Sequence, residues 1–412
     1  MLIASIMKCN TNLKSVLFLT KDALCLNYLP QYGNKFWAGK TPNLDELAAQ
    51  GTVFTNAFTA APSSAMSYLT MFTRKYPYQQ EIKAYVPLVR PYKGRTLFDD
   101  AYDMGYDCHV VWDDHWIKLA ERYSKCYGNH TTMHPLKGLR QGVGPNYKRE
   151  HPLERNDVLA EQTFAMFKDE IKQIFDNGKN VFLWCHLPHV LNGRISYGDD
   201  IDLYDRYIGF LRQYFEDNNI FISSDHGNMN GTRGKIRYGF DVYDPAIRIP
   251  LISPRINDLK IYEGQFCNID FFELLFERKI VKRDVIFSDC AYYAQPRRKL
   301  AIIFGKYRYI YNKKDKLEEL YDVDWDPHQD FNLMADYVYD IDRKVNSPSR
   351  ELYFYPYWDN LPAIKKKLRE EKNGIWRDVS WKQNLLLQSK EFVKKTPVIS
   401  KVYPILLKFF RR

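Results

Sequence analysis

Three places in the chain put metal-ligating side chains just after a short apolar run. Residues 220–228 read Ile-Phe-Ile-Ser-Ser-Asp-His-Gly-Asn, so Asp225 and His226 offer an oxygen and a nitrogen ligand side by side. Ser15 to Thr20 is a second such run, and Asp22 follows it closely. Val181 to Cys185 is a third, and His186 and His189 come after it. Short apolar runs of this kind read as buried parallel strands, and open α/β sheets hold ligands just beyond the carboxyl ends of their strands. Taken singly, each residue has a plainer reading. A carboxylate after a strand caps a helix or forms a turn, and a lone histidine is a hydrogen-bonded structural group. Shared placement after three strands points instead to one metal or anion site.

A hydroxyl can join that site. Pro62-Ser63-Ser64 opens a stretch of helical spacing that runs to Thr73. A hydroxyl there lies at the positive end of the helix dipole, among free backbone N–H groups. Such a place suits an attacking alkoxide and the anion it attacks. The alternative is that Ser63 or Ser64 is simply the N-cap.

The elements that must carry these residues follow from periodicity. Residues 1–255 alternate apolar runs (15–20, 108–112, 181–186, 220–224 and 248–253) with helical patterns (41–51, 64–73, 96–104, 157–176 and 201–216). That alternation predicts an α/β fold with a mostly parallel central sheet flanked by helices. Residues 120–156 are polar and broken by Gly and Pro, which reads as an extended surface excursion. Beyond 256 the pattern changes. A helix is expected over 266–276, then short strands at 284–288, 299–304 and 307–311 with a turn at 312–316, which makes a small antiparallel sheet. The expected organisation is a catalytic body over 1–258, a C-terminal subdomain over 259–340, and an aromatic and basic tail over 341–412.

The bulk properties narrow the partners. The formal net charge of +10 resides in residues 361–412, where 14 Lys and Arg face 4 Asp and Glu; the preceding 360 residues hold equal numbers of each sign. A neutral body argues against nucleic acid as a partner. The tail mixes Lys401, Lys408, Arg411 and Arg412 with apolar residues. It reads either as a peripheral seat on an anionic membrane surface or as a segment packed on the body or on a partner. No run approaches the ~20 apolar residues of a membrane span, and the N-terminus lacks the pattern of a secretory signal. Seven scattered cysteines without metal-type spacing fit a reducing compartment, so a cytoplasmic protein is the expectation, with the inner membrane face as a peripheral site. The 31 tyrosines fit carbohydrate-facing surfaces, and equally an AT-biased coding sequence.

Several stretches carry a resemblance. Thr41 to Phe58, reading Thr-Pro-Asn-Leu-Asp-Glu-Leu-Ala-Ala-Gln-Gly-Thr-Val-Phe-Thr-Asn-Ala-Phe, resembles the segment before the nucleophile in sulfatases. Lys75-Tyr76-Pro77 resembles the basic-aromatic-Pro element shortly after it. Ser223-Ser224-Asp225-His226-Gly227 resembles the family's late metal motif, and Ala246 to Ile252 the strand beyond. Lys306 to Ile310 and Glu319 to Asn332 resemble its C-terminal subdomain. The likeness runs in order over roughly residues 14–335, and the chain is identified as resembling the sulfatase family of the alkaline phosphatase superfamily.

The resemblance implies an alkaline-phosphatase-like fold and a site. Asp22, Asp225 and His226 fall at metal positions, with Lys21 where many sulfatases have a second early aspartate. Ser64 falls at the nucleophile. His186 or His189 falls at a substrate-oxyanion or metal histidine, Lys235 near a lysine that binds the ester's non-bridging oxygens, and His115 near the mid-chain histidine. The implied cofactor is a divalent metal: Ca²⁺, Mg²⁺ or Mn²⁺, with Zn²⁺ if both His186 and His189 coordinate. The implied partner is a sulfated or phosphorylated carbohydrate.

One departure matters. Formylglycine sulfatases carry Cys or Ser followed by x-Pro-Ser-Arg, and here Met66 and Tyr68 replace the Pro and the Arg. Formylglycine is therefore not expected, and an unmodified Ser64 is. Serine nucleophiles belong to the phosphatase, phosphodiesterase and phosphoglycerol or phosphoethanolamine transferase branches, so a phosphotransferase of surface-glycan assembly stands beside sulfate-ester hydrolysis. The altered residues also suit a catalytically silent member that binds anionic glycans.

Overall fold

The computed structural model describes residues 13–35, 39–80, 92–113, 117, 126–136, 156–187, 197–235, 238–290, 298–334, 337–340, 345–348 and 355–375. His115, His189 and the tail beyond 375 lie outside them.

The apolar runs form the centre of a nine-stranded sheet. Its strands are β1 (Val16–Lys21), β2 (Thr52–Phe58), β3 (Asp107–Asp113), β4 (Thr131–Leu136), β5 (Val181–Leu187), β6 (Ile220–Ser224), β7 (Arg248–Ile249), β8 (Leu251–Ser253) and β9 (Ile261–Cys267). Their order is β4-β3-β5-β1-β6-β8-β2-β7, with β9 paired to β2. Neighbours from β4 to β6 run parallel, whereas β8 is antiparallel to both β6 and β2. The carboxyl ends of β1, β2, β5 and β6 therefore share one edge.

Strand alternation sends successive side chains to opposite faces. Val16, Phe18, Cys108, Val110, Phe182, Trp184 and Phe221 enter one core. It is shared with α2 (Ser64–Thr73), α3 (Leu97–Asp103) and α7 (Phe271–Glu277). Leu17, Leu19, Val111, Leu183, Cys185, Ile220 and Ile222 enter the other. There they meet α1 (Pro42–Gln50), α4 (Asn156–Phe175) and α5 (Tyr197–Leu211). Both faces of the central strands are thus covered, which is why they read as unbroken apolar runs.

A second, four-stranded antiparallel sheet has the order β10 (Ile286–Asp289), β11 (Lys299–Phe304), β12 (Tyr307–Asn312) and β13 (Leu317–Asp322). A third core joins it to the short helix α6 (Asp244–Ile247) and to the long helix α8 (Leu361–Ile375). Strands β14 (Tyr337–Asp340) and β15 (Val345–Pro348) pair antiparallel.

Four expectations are corrected. The run 248–253 is split at Pro250 and runs against its neighbours instead of along them, since proline has no N–H for the ladder. The stretch expected as a surface excursion contains β4, an edge strand whose polar side chains hid it. The helix expected over 266–276 begins at Phe271, because Phe266 and Cys267 end β9 and residues 268–270 make one tight turn. The boundary expected at residue 258 falls before β9, so the large sheet extends to Cys267. The first residues of the basic tail form α8, which buries Leu361 and Leu368 on the small sheet, while Arg369 and Lys372 pair with Glu318.

Candidate active site

Asp22 follows β1 directly. The next residue, Ala23, takes a left-handed φ of 54°, which costs a non-glycine residue ~1 kcal/mol or more. That turn aims the Ala23 N–H at Asp225 Oδ1, 3.0 Å away. Asp225 and His226 follow β6 directly. Gly227 then passes so close to the Pro245 carbonyl that a Cβ would lie 2.0 Å from its oxygen, which is why the Asp-His pair is followed by glycine.

Strand β2 leads into α2. Ser63 takes the extended N-cap geometry, but its side chain makes no capping bond. Ser64 is the first helical residue, and its Oγ lies 3.1 Å from His226 Nε2 and 3.4 Å from Asp22 Oδ1. The capping alternative is thus not what either hydroxyl does. Ser67, one turn on, donates to the Asp225 carbonyl at 2.6 Å and tethers the helix to the loop after β6.

Asp22, Asp225 and His226 form a group whose ligand atoms all lie within 4.8 Å of one another. His226 Nδ1–H donates to the Gly227 carbonyl at 2.7 Å, which leaves Nε2 with a free lone pair facing the two carboxylates. Two carboxylates and an unprotonated imidazole nitrogen fit a divalent cation. Asp225 is fully buried and Asp22 partly open, so the group has one route to solvent.

Behind Asp225 runs a hydrogen-bond chain whose direction is forced. Trp184 Nε1 can only donate, and does so to Thr20 Oγ1 at 2.9 Å. Thr20 in turn donates to His186 Nδ1 at 2.7 Å. His186 Nε2–H therefore donates to the Tyr68 hydroxyl at 2.6 Å, and Tyr68 donates to Asp225 Oδ2 at 3.0 Å. Burial holds His186 far below the usual imidazole value, at about 3, aided by the charges of His226 and Lys21 and opposed by Asp22. Burial, with the charges of Asp225 and Asp22, pushes the Tyr68 phenol well up. The whole relay is neutral up to the carboxylate.

Two expectations follow from this relay. Tyr68→Phe leaves the His186 N–H without an acceptor and removes one donor from Asp225. It is expected to cost about 1–3 kcal/mol of stability and to weaken divalent-metal binding about 10–100-fold, measured by denaturant unfolding and calorimetric titration. An undiminished metal affinity would show that the phenol does not orient Asp225. Secondly, His186 binds fewer protons folded than unfolded between pH ~6.5 and ~3. Its contribution to stability is complete above pH ~6.5 and is lost as the pH falls toward ~3, by up to about 1.4 kcal/mol per unit. Its imidazole resonance in NMR should stay flat from pH ~7.5 to ~4.5; a midpoint near the free value of ~6.5 would contradict this account.

The other expected residues sit as follows. His186 is close to the group but engaged on both ring nitrogens. Lys235 Nζ bonds Asp241 Oδ1 at 2.6 Å, and Lys299 bonds the same oxygen. Burial, with the charge of Lys299, holds Lys235 below the usual lysine value despite Asp241. His115 and His189 lie outside the described residues. Sequence reading noted Tyr68 only as a missing arginine. Its spacing carried a signal all the same, because residues 64 and 68 are one helical turn apart and share a face.

The sulfatase family's sequence profile matches residues 16–190. Over that stretch, which is less than half of its length, the chain is similar to the sulfatase family. It is similar to an N-acetylgalactosamine-6-O-sulfatase of Bacteroides thetaiotaomicron, 27% identical over 143 residues, or 34% of this chain. That match spans 26% of the relative's own length. Two solved structures share the fold. A 2-O glycosaminoglycan sulfatase matches with a TM-score of 0.61 at 14% identity, over 88% of this chain and 92% of that one. A phosphonate monoester hydrolase of Silicibacter pomeroyi matches with a TM-score of 0.58 at 12% identity, over 88% and 96%. The profile covers β1, α2 and β5, and so includes Asp22, Ser64 and His186; Asp225 and His226 lie beyond it.

Proposed function

We propose that this protein is a metal-dependent hydrolase that cleaves a sulfate or phosphate ester of a carbohydrate with Ser64 as nucleophile. The observation that carries the reading is the contact of Ser64 Oγ with both His226 Nε2 and Asp22 Oδ1, at the first turn of α2. Asp22, Asp225 and His226 would hold the metal, with Ca²⁺, Mg²⁺ or Mn²⁺ favoured by the oxygen ligands. A bound divalent ion would neutralise charge on the ester oxygens and favour the alkoxide of Ser64.

The chain's own groups do the rest. Ser64 Oγ forms a bond to the phosphorus or sulfur as the bond to the ester oxygen breaks, and the leaving alcohol keeps that electron pair. The hydroxyl proton leaves to solvent on the open side of Asp22, and Ser64 recovers a proton from the water that later displaces it. The free N–H groups of the first turn of α2 face the anion. Water then displaces the serine and releases the sulfate or phosphate. Tyr68, His186 and Thr20 act as positioning residues that hold Asp225. Lys235 is assigned to the non-bridging oxygens, and His189 and His115 remain candidates for the leaving group and the oxyanion. The carbohydrate assignment rests on the sugar esters named for the two sulfatase relatives above.

One observation favours phosphoryl chemistry within this reading. A buried, neutral phenol, bonded to Asp225 and His186, occupies the helix position where formylglycine enzymes carry arginine. That supports unmodified Ser64, and with it a phosphate monoester or diester, or a phosphotransferase in which an acceptor alcohol replaces the water. Turnover of nitrophenyl phosphate and nitrophenyl sulfate tests the reading. At least one ester should be cleaved, with loss of activity in EDTA and recovery on adding metal. No cleavage and no bound metal would overturn it in favour of a silent glycan-binding member.

A further inference from the structure

A cleft of about 420 Å³ adjoins Lys235, lined by Phe240, Asp241, Lys299, Asn312, Lys314 and Asp315. Its walls come from two parts of the fold. Phe240 and Asp241 follow the loop after β6, whereas Lys299 begins β11, Asn312 ends β12, and Lys314 and Asp315 belong to the turn between β12 and β13. The loop side is tied to the candidate active site, because the Tyr238 ring lies 4.3 Å from the His226 ring.

The charges in this cleft do not balance. Asp241 Oδ1 accepts from both Lys235 and Lys299, so two ammonium groups share one carboxylate. Their side chains are only 35% and 14% exposed. The surplus positive charge beside the largely shielded Lys299 attracts an anion to the cleft. Lys314 adds a third cation at the rim, and Asp315, which accepts from Asn312 Nδ2 at 3.0 Å, adds a second carboxylate, so three ammonium groups face two carboxylates. Phe240 is 46% exposed at the same opening, an apolar ring beside polar groups. An aromatic surface next to a few oriented charges is the make-up of a site for an amphipathic, anionic ligand.

We propose that this cleft is an outer subsite that binds a second anionic group, sulfate, phosphate or carboxylate, on the sugar whose ester lies at Ser64. Lys299 and Lys314 take the second anion, and Phe240 takes the apolar face of the sugar ring. The substrate is then a carbohydrate with at least two negative groups. This inference rests on the ester chemistry proposed for Ser64, and its test is kept separate from that chemistry.

The test is a pair of calorimetric titrations of the Ser64→Ala protein, with glucosamine carrying two sulfates and with glucosamine carrying one. The doubly sulfated sugar should bind at least about tenfold more tightly. Lys299→Ala and, separately, Lys314→Ala should each reduce that preference to about threefold or less. Lys314 is an exposed turn residue, so its replacement keeps the test open if Lys299→Ala fails to fold. Equal affinity for the two sugars, binding of neither, or a preference that survives both replacements overturns the subsite. Failure of the unmodified protein to cleave nitrophenyl esters, with a Lys299-dependent preference intact, would remove the ester reading and leave the cleft standing as an anionic-sugar site.

Discussion

Ser64→Ala is expected to lower kcat/KM for aryl ester cleavage by at least about a thousandfold, while the fold survives. The size follows from what is removed. A nucleophile opens the covalent route, and without it only the binding and electrostatic parts of the site remain. The stability side is equally specific. The Ser64 hydroxyl donates to His226 or Asp22, and among the described residues it accepts from no buried donor, so its loss strands no buried N–H. Unfolding free energy should change by about 1 kcal/mol or less. Steady-state kinetics with denaturant unfolding on the same preparation checks both. Activity within about tenfold of the unmodified protein would remove Ser64 from the chemistry.

Asp225→Asn is expected to have the other large effect. The carboxylate stands at the meeting point of three donors: Ala23 N–H, His226 N–H and the Tyr68 hydroxyl. An amide keeps the shape but puts an N–H where one of these donors points, and it removes a negative charge from the three-ligand group. Divalent-metal affinity should fall at least about a hundredfold, with cleavage falling alongside it. The loss of a satisfied acceptor should also cost about 1–3 kcal/mol of stability. Calorimetric titration of Mn²⁺ into metal-free protein reads the first, and an unchanged affinity would show that the ion binds elsewhere. Asp22→Asn makes a useful partner, because Asp22 is partly solvent-facing and its replacement should weaken the metal with a smaller stability cost.

The parts of this molecule that sequence made legible are those with a strong local period. Strands β1, β5 and β6 are buried on both faces, so their apolar runs were unambiguous, and the ligands at their ends could be found by position alone. The Pro-Ser-Ser entry marks a helix start and leaves Ser63 and Ser64 both open; the family resemblance singles out Ser64. What stayed hidden depended on tertiary context. Strand β4 lies at the sheet edge with Thr131, Thr132 and His134 in it, and no apolar period betrays an edge. Strand β2 mixes Thr and Asn with apolar residues, so it has no unbroken apolar run and is legible only as part of a family likeness. The relay from Trp184 to Asp225 joins residues more than a hundred positions apart and has no local signature at all. Lys235 shows the same limit from the other side. Its position suggested a role, while its bond to Asp241 and the shared charge with Lys299 emerge only when the two sheets meet.

The central claim is that Ser64, unmodified, becomes covalently attached to the group it removes. Peptide mass spectrometry of protein quenched in acid during turnover of nitrophenyl phosphate and nitrophenyl sulfate tests it most directly. The account predicts a serine of unaltered mass at position 64 before substrate, and a gain of about 80 Da on that residue after it. A loss of about 2 Da or a gain of about 16 Da at Ser64 before substrate would reveal an oxidised nucleophile and contradict the account, as would an adduct carried by any other residue.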